Sequence, residues 1–227
     1  MTTTIPPTES GALHAEVGHS PLETARHAID ALDDTLLALI EQRFALSLKV
    51  AALKQTDDGH LRIRPRREAE VLARLTTRAT TATPALIAHV WRELMAHSVQ
   101  AQVPTTLVLH APAAAVSGLG AGLRERFGRA APLHLAASPR EALDRARDEQ
   151  AIAAIALDDS GWWTHLPDEP ALTIFDRIGS GQELVLLVGR IAREDVAEGC
   201  GAEVCETPRG EVLATHDGWS LCRGADQ

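Results

Sequence analysis

The sequence has no tyrosine and only three phenylalanines, and lysine is almost as scarce, since only Lys49 and Lys54 among the 22 basic residues are lysines. Set beside abundant alanine and arginine, this reads as coding bias and carries no functional meaning. Long apolar runs are missing as well. Nothing approaches the roughly 18 uninterrupted apolar residues of a membrane span, and the N-terminal "MTTTIPPTESGALHAEVGHS" lacks an apolar signal core. A cytoplasmic location with no membrane partner is expected. Cysteine is limited to Cys200, Cys205 and Cys222 near the C-terminus, with no Cys-x-x-Cys pair and no Cys/His cluster at zinc-ligand spacing. They are read as reduced thiols, and no metal is expected. A basic stripe is also lacking: the formal charge is -9, although residues 20–103 alone carry 11 basic against 10 acidic side chains. The first fact argues against a nucleic-acid partner, and the uneven distribution suggests two units.

The Thr-, Pro- and Gly-rich residues 1–19 read as a disordered tail. Structure is expected to begin at "SPLE", where Ser20 can cap a helix, Pro21 fits its first position and Glu23 completes a capping box. An apolar stripe then runs without Gly or Pro to Lys54. "QTDDGHLRIRP" breaks it. A short helix is predicted from about Pro65 and a third after Thr83-Pro84. A 34-residue helix is about 50 Å long, too long to bury its stripe against the two helices that follow, so a second copy of the chain is implied. After Val103 the short apolar runs "TTLVLH", "PLHLAAS", "AIAAIAL", "LTIFDRI" and "ELVLLVG" alternate with helical segments such as "SPREALDRARDEQ", which has its own Ser138/Glu141 box. The fold class expected is α plus α/β: a helical domain over 20–103 and a small α/β domain over 104–227, the boundary falling near 102–105.

One stripe of the first helix comprises Leu22, Ala25, Ile29, Leu32, Leu36, Ile40, Arg43, Ser47, Val50 and Lys54. Two cations therefore sit in an apolar seam. They are about 16 Å apart along the axis, close enough for long side chains to converge on one small molecule. Ser98 and Gln102 occupy seam positions of the third helix, and Arg67 and Glu68 open the second. Each alone has a plain explanation: a snorkelling cation, a back-bonded serine, a helix-end amide or a solvated first turn. Burying several unpaired cations together costs several kcal/mol each, so the set points to an anionic ligand. Arg26 lies about 42 Å from Lys54 on the same helix and can join such a site only from an antiparallel second copy.

The stretches "ARHAIDALDDTLLALIEQRFALSLKVAALK", "RPRREAEVLARL" and "SVQAQ" resemble the all-helical chorismate mutases, specifically the type fused to prephenate dehydratase, over residues 20 to about 103. The resemblance implies an intertwined homodimeric helical bundle that converts chorismate to prephenate in aromatic amino-acid biosynthesis, without cofactor or metal. Carried over by position, Arg43 and the partner's Arg26 would pair with the substrate carboxylates. Lys54 and Gln102 would donate to the ether oxygen, Glu68 would hold the ring hydroxyl, Arg67 would support the enolpyruvyl side and Ser98 would contact the ring carboxylate. One position departs: some members have aspartate four residues before the glutamate, and this chain has Arg64, although an "RPxRE" arrangement also occurs in the dehydratase-fused type.

The second half stands where a dehydratase would. "LVLHAPAAAVSGLG" replaces a "GPxGT" turn, "AIALDDSGWW" replaces "PIENS", and a Thr-Arg-Phe motif is absent, so a shrunken, non-catalytic lobe is expected. "GLGAGL" (118–123) departs from a dinucleotide fingerprint at its third glycine. His110 and His134 read as structural, and Trp162-Trp163 as core. Two other functions remain: an isochorismate pyruvate-lyase on the same fold, or a non-catalytic protein that senses a ligand or docks onto another shikimate-pathway enzyme.

Overall fold

The computed structural model describes residues 20–53, 59–180, 183–208 and 210–223. The tail expected over 1–19 and the candidate Lys54 lie outside them. Contacts divide the chain into two compact units, one up to Arg43 and one from Phe44 onward.

Helix α1, Pro21–Leu53, spans 33 residues and starts as its sequence requires. The Ser20 N–H donates to Glu23 Oε2 (2.8 Å) and the Glu23 N–H to Ser20 Oγ (3.2 Å), which closes the capping box. No residue of α1 is buried. Leu32 is 63% exposed and Leu36 55%, a row of large apolar side chains left to solvent in the single chain.

The rest begins with α2 (Pro65–Arg78) and α3 (Pro84–Gln102), each with proline at its start, where a missing N–H costs nothing. Thr83 caps α3 by accepting the Leu86 N–H at 3.2 Å. The change from helix to strand follows directly. All five apolar runs become strands: β1 (Thr106–His110), β2 (Leu133–Leu135), β3 (Ala151–Ala156), β4 (Thr173–Ile178) and β5 (Val185–Gly189). Helix α4 (Val116–Phe127) connects β1 to β2, and α5 (Pro139–Asp148) connects β2 to β3. The chain is thus a helical N-terminal region followed by an α/β region with a mixed sheet. "GLGAGL" lies inside α4, so its glycines are helical and form no phosphate-cradling turn.

The sheet order is β2-β1-β3-β5-β4. β1 pairs parallel with β2 and β3, and β5 runs antiparallel to both neighbours. The loops after β1 and β3 therefore meet at one edge, the carboxyl end of two adjacent parallel strands. They contain the two stretches compared above with a dehydratase. Strand β3 is buried on both faces, as a central strand with covered faces must be. Ala151, Ala153 and Ile155 pack with α5 and the two tryptophans, whereas Ile152, Ala154 and Ala156 pack with α4. Trp162 and Trp163 are core, the indole of Trp162 donating to Ala156 O at 3.1 Å. His110 Nδ1 lies 3.1 Å from Ala136 O.

Two features were not anticipated from composition. A three-stranded antiparallel sheet, β6 (Ala202–Cys205), β8 (Trp219–Arg223) and β7 (Val212–His216) in that order, closes the α/β region. Across it the Cys205 and Cys222 sulfurs are 3.1 Å apart as a thiol–thiol contact. More consequential is the segment between α1 and α2. Leu61 and Ile63 are buried in the α4-side core with Leu107, Leu123 and Ile152, and the Leu61 N–H donates to Arg190 O at 2.8 Å.

Gly128 ends α4 with φ +71° and lets α4 approach α3: a Cβ there would stand 2.8 Å from Ala96 Cβ and 2.9 Å from Glu93 Oε2. With ψ at −172° Gly128 occupies a region nearly reserved for glycine, where alanine costs about 1–3 kcal/mol, and overpacking costs about 1–3 more. Gly128→Ala should therefore lower stability by about 2 kcal/mol or more in urea unfolding.

Candidate functional site

Gln102 ends α3, and its side-chain amide donates to Ser47 Oγ at 3.0 Å, with Ser47 O at 3.5 Å. Ser47 belongs to the seam sequence Arg43-Ser47-Val50-Lys54, so folding brings the candidate amide donor of α3 onto the polar stretch of α1. Gln102 is half-buried. Ser98, one turn earlier, is buried, and its hydroxyl donates to Leu94 O at 2.7 Å, the back-bonding that its plain structural reading requires. Arg43 is half-buried, and burial pulls its pKa below the ordinary arginine value because a guanidinium loses hydration there. Arg26 is exposed on α1.

The two candidates at the start of α2 diverge. Arg67 is exposed, and its guanidinium donates to Glu70 Oε2 at 3.0 Å along the helix. Glu68 turns the other way. Its Oε2 accepts from Arg126 Nη1 at 2.9 Å, and Arg126 Nε donates to Asp176 Oδ2 at 2.6 Å. The exposures of the Arg126, Glu68 and Asp176 side chains are 17%, 15% and 12%, so the three charges are largely removed from water. Burial disfavours the charged guanidinium, but the two carboxylates outweigh it and hold the Arg126 pKa above the ordinary arginine value. The guanidinium also lies over the Phe127 ring, 4.8 Å from its centroid.

Local sequence explains how Asp176 reaches this place. In an undisturbed strand Asp176 would share a face with Ile174, which packs with α5. The register of β4 against β5 slips between Ile174 and Asp176. Such a bulge sets two residues against one and re-aims the second. Phe175 joins the α4-side core, and Asp176 meets Arg126, the last arginine of α4. Arg92 of α3 borders the same cluster. Its pKa is lowered first by burial and then by repulsion from Arg126. A cavity of about 30 Å³ beside Glu68 and Arg92 has room for about one water molecule. A second ion pair joins Arg64, just before α2, to Asp195. The start of α2 is thus tied twice to the α/β region.

Sequence reasoning missed Arg126, Asp176 and Arg92, which sit in stretches with no unusual spacing. The one available signal was Arg64, at a position where some members of the resembled family have aspartate. A cleft of about 1040 Å³ between α2 and strands β4 and β6 contains none of the candidate residues. Among the described residues no group of His, Cys, Asp and Glu could hold a metal ion, and no helix is long and apolar enough to cross a membrane.

The contact that the described residues show at this seam is the one from Gln102 of α3 to Ser47 of α1. In a comparison with protein families, residues 25–103 match chorismate mutase type II. That segment is similar to chorismate mutase type II domains. The match covers about a third of the chain and ends where the α/β region begins. Comparison with curated proteins and with solved structures gave no match.

Removing one member of a buried ion pair leaves an uncompensated charge and costs about 3–5 kcal/mol. Arg126→Ala, which strands two carboxylates, should lose stability on that scale, read as a drop in the urea midpoint, whereas Arg126→Lys should lose less.

Proposed function

We propose that the chain rearranges chorismate to prephenate in aromatic amino-acid biosynthesis, working as a homodimer with two shared sites. The observation that carries this reading is the hydrogen bond from Gln102 to Ser47, which sets an amide donor on the seam between the sequence positions of Arg43 and Lys54, within the segment matching chorismate mutase type II.

The chemistry suits such a site. The rearrangement is an intramolecular pericyclic shift in which an ether C–O bond breaks as a C–C bond forms, so no nucleophile, acid or base is required. Rate comes from holding the reactive conformer and from fixed donors aimed at the ether oxygen as it gains negative charge. Arg43 and Arg26 of the partner subunit bind the two carboxylates. Lys54 and Gln102 donate to the ether oxygen. Glu68 accepts from the ring hydroxyl, Arg67 supports the enolpyruvyl side and Ser98 contacts the ring carboxylate. Gln102 is an amide, so the donor at that position needs no acid pH.

Support for a dimer comes from α1. It leaves Leu22, Ile29, Leu32, Leu36 and Ile40 exposed, a larger contiguous apolar surface than monomers usually tolerate. A second α1 laid antiparallel covers it and carries Arg26 to the opposite site. The α/β region is non-catalytic in this reading, lacking the Thr-Arg-Phe motif.

The first test is disappearance of chorismate absorbance with the purified chain, prephenate and phenylpyruvate being quantified together. Prephenate should accumulate without phenylpyruvate; no turnover would refute the reading, and pyruvate release from isochorismate would replace it with a lyase. Lys54→Ala and Arg43→Ala should each lose most of the rate, since one transition-state donor is worth about 2.7–4 kcal/mol. In a second test, Arg26→Ala chains mixed with Lys54→Ala chains should regain activity, because each heterodimer rebuilds one intact site. Absence of recovery would mean that Arg26 does not act across the interface.

A further inference from the structure

The position of Glu68 is set by a residue far outside the chorismate mutase segment. Arg126 belongs to α4, beyond residues 25–103, yet it donates to Glu68 Oε2 while its Nε is anchored by Asp176. Asp176 is itself fixed. Its Oδ1 accepts the Arg177 N–H at 2.9 Å, and the β4 bulge aims its side chain. Phe127, under the guanidinium, packs edge-on against Phe175, centroids 6.4 Å apart. From sheet to carboxylate, every link is a buried or half-buried contact.

A carboxylate has about four acceptor sites, and Arg126 takes one oxygen of Glu68. The other oxygen, Oε1, accepts no protein hydrogen bond among the described residues. An arginine that bridges two carboxylates fixes their direction more tightly than lysine could, because its fork is rigid. With one oxygen engaged by Arg126, the other carboxyl oxygen of Glu68 is left to accept from a ring hydroxyl.

We propose that Arg126 is a positioning residue for the mutase reaction: through its bond to Glu68 it orients the carboxylate that receives the substrate's ring hydroxyl, so that the α/β region forms part of the mutase site. This rests on the mutase reading above. Arg126 does not touch substrate in it and acts only through Glu68. The hydroxyl is bound alike in ground and transition states, so loss of orientation raises KM and leaves kcat nearly unchanged.

The test is a double-mutant cycle with the full-length chain: Arg126→Lys, Arg126→Gln and Glu68→Gln, and each Arg126 change combined with Glu68→Gln. Circular dichroism and unfolding midpoints establish which variants are folded. KM for chorismate should rise about tenfold in Arg126→Gln, the scale of one hydrogen bond to a charged group. It should rise less in Arg126→Lys, with kcat within about threefold of the unaltered chain in both. Once Glu68 is glutamine, the Arg126 changes should have no further effect on KM. Losses that multiply in the double variants would overturn the proposal, as would a lowered unfolding midpoint with unchanged KM. If Arg126→Gln fails to fold, Arg126→Lys alone decides by the same criterion. Failure of the mutase reading looks different: the unaltered chain leaves chorismate unconsumed, and the proposal falls with it.

Discussion

The guanidinium of Arg126, shared between Glu68 and Asp176, is the interaction on which the arrangement of residues from Phe44 onward most depends. A cation so enclosed is tolerable only because two carboxylates meet it, and those carboxylates come from segments more than a hundred residues apart. Each is costly to bury alone. The three charges therefore form a unit that specifies how α2, α4 and β4 come together, in a way that the apolar contacts around them do not. The Arg64–Asp195 pair repeats the principle at the same helix end. Together they give the first turn of α2 a defined direction.

Much of this was legible from the sequence, and the reason is local. The capping box at Ser20 and Glu23, the prolines opening α2 and α3, and five apolar runs of strand length are signals carried within a few residues. The structure repeats them nearly at the expected positions. The small β6–β8 sheet was not legible, because its strands are short, polar on one side and recognisable only once paired. The polar seam was readable because helical periodicity makes an arginine on an apolar stripe conspicuous. The contact of Gln102 with Ser47 was not legible, because it depends on how α3 packs against α1.

The direction of Glu68 was not legible. Its partner is 58 residues away in a helix whose sequence looks ordinary, and Asp176 reaches the cluster only through a one-residue slip that no composition betrays. Arg64, where some members of the resembled family have aspartate, is paired with Asp195. That pair ties the residue before α2 to the α/β region.

The burial of Leu61 and Ile63 beneath the mixed sheet has a consequence for descent. The few residues joining the first two helices contribute side chains to a core whose other members begin at Leu107. Helices and sheet therefore cannot be exchanged between ancestors as self-contained cassettes. Any chain that traded its α/β half for another would leave two hydrophobic plugs without a socket.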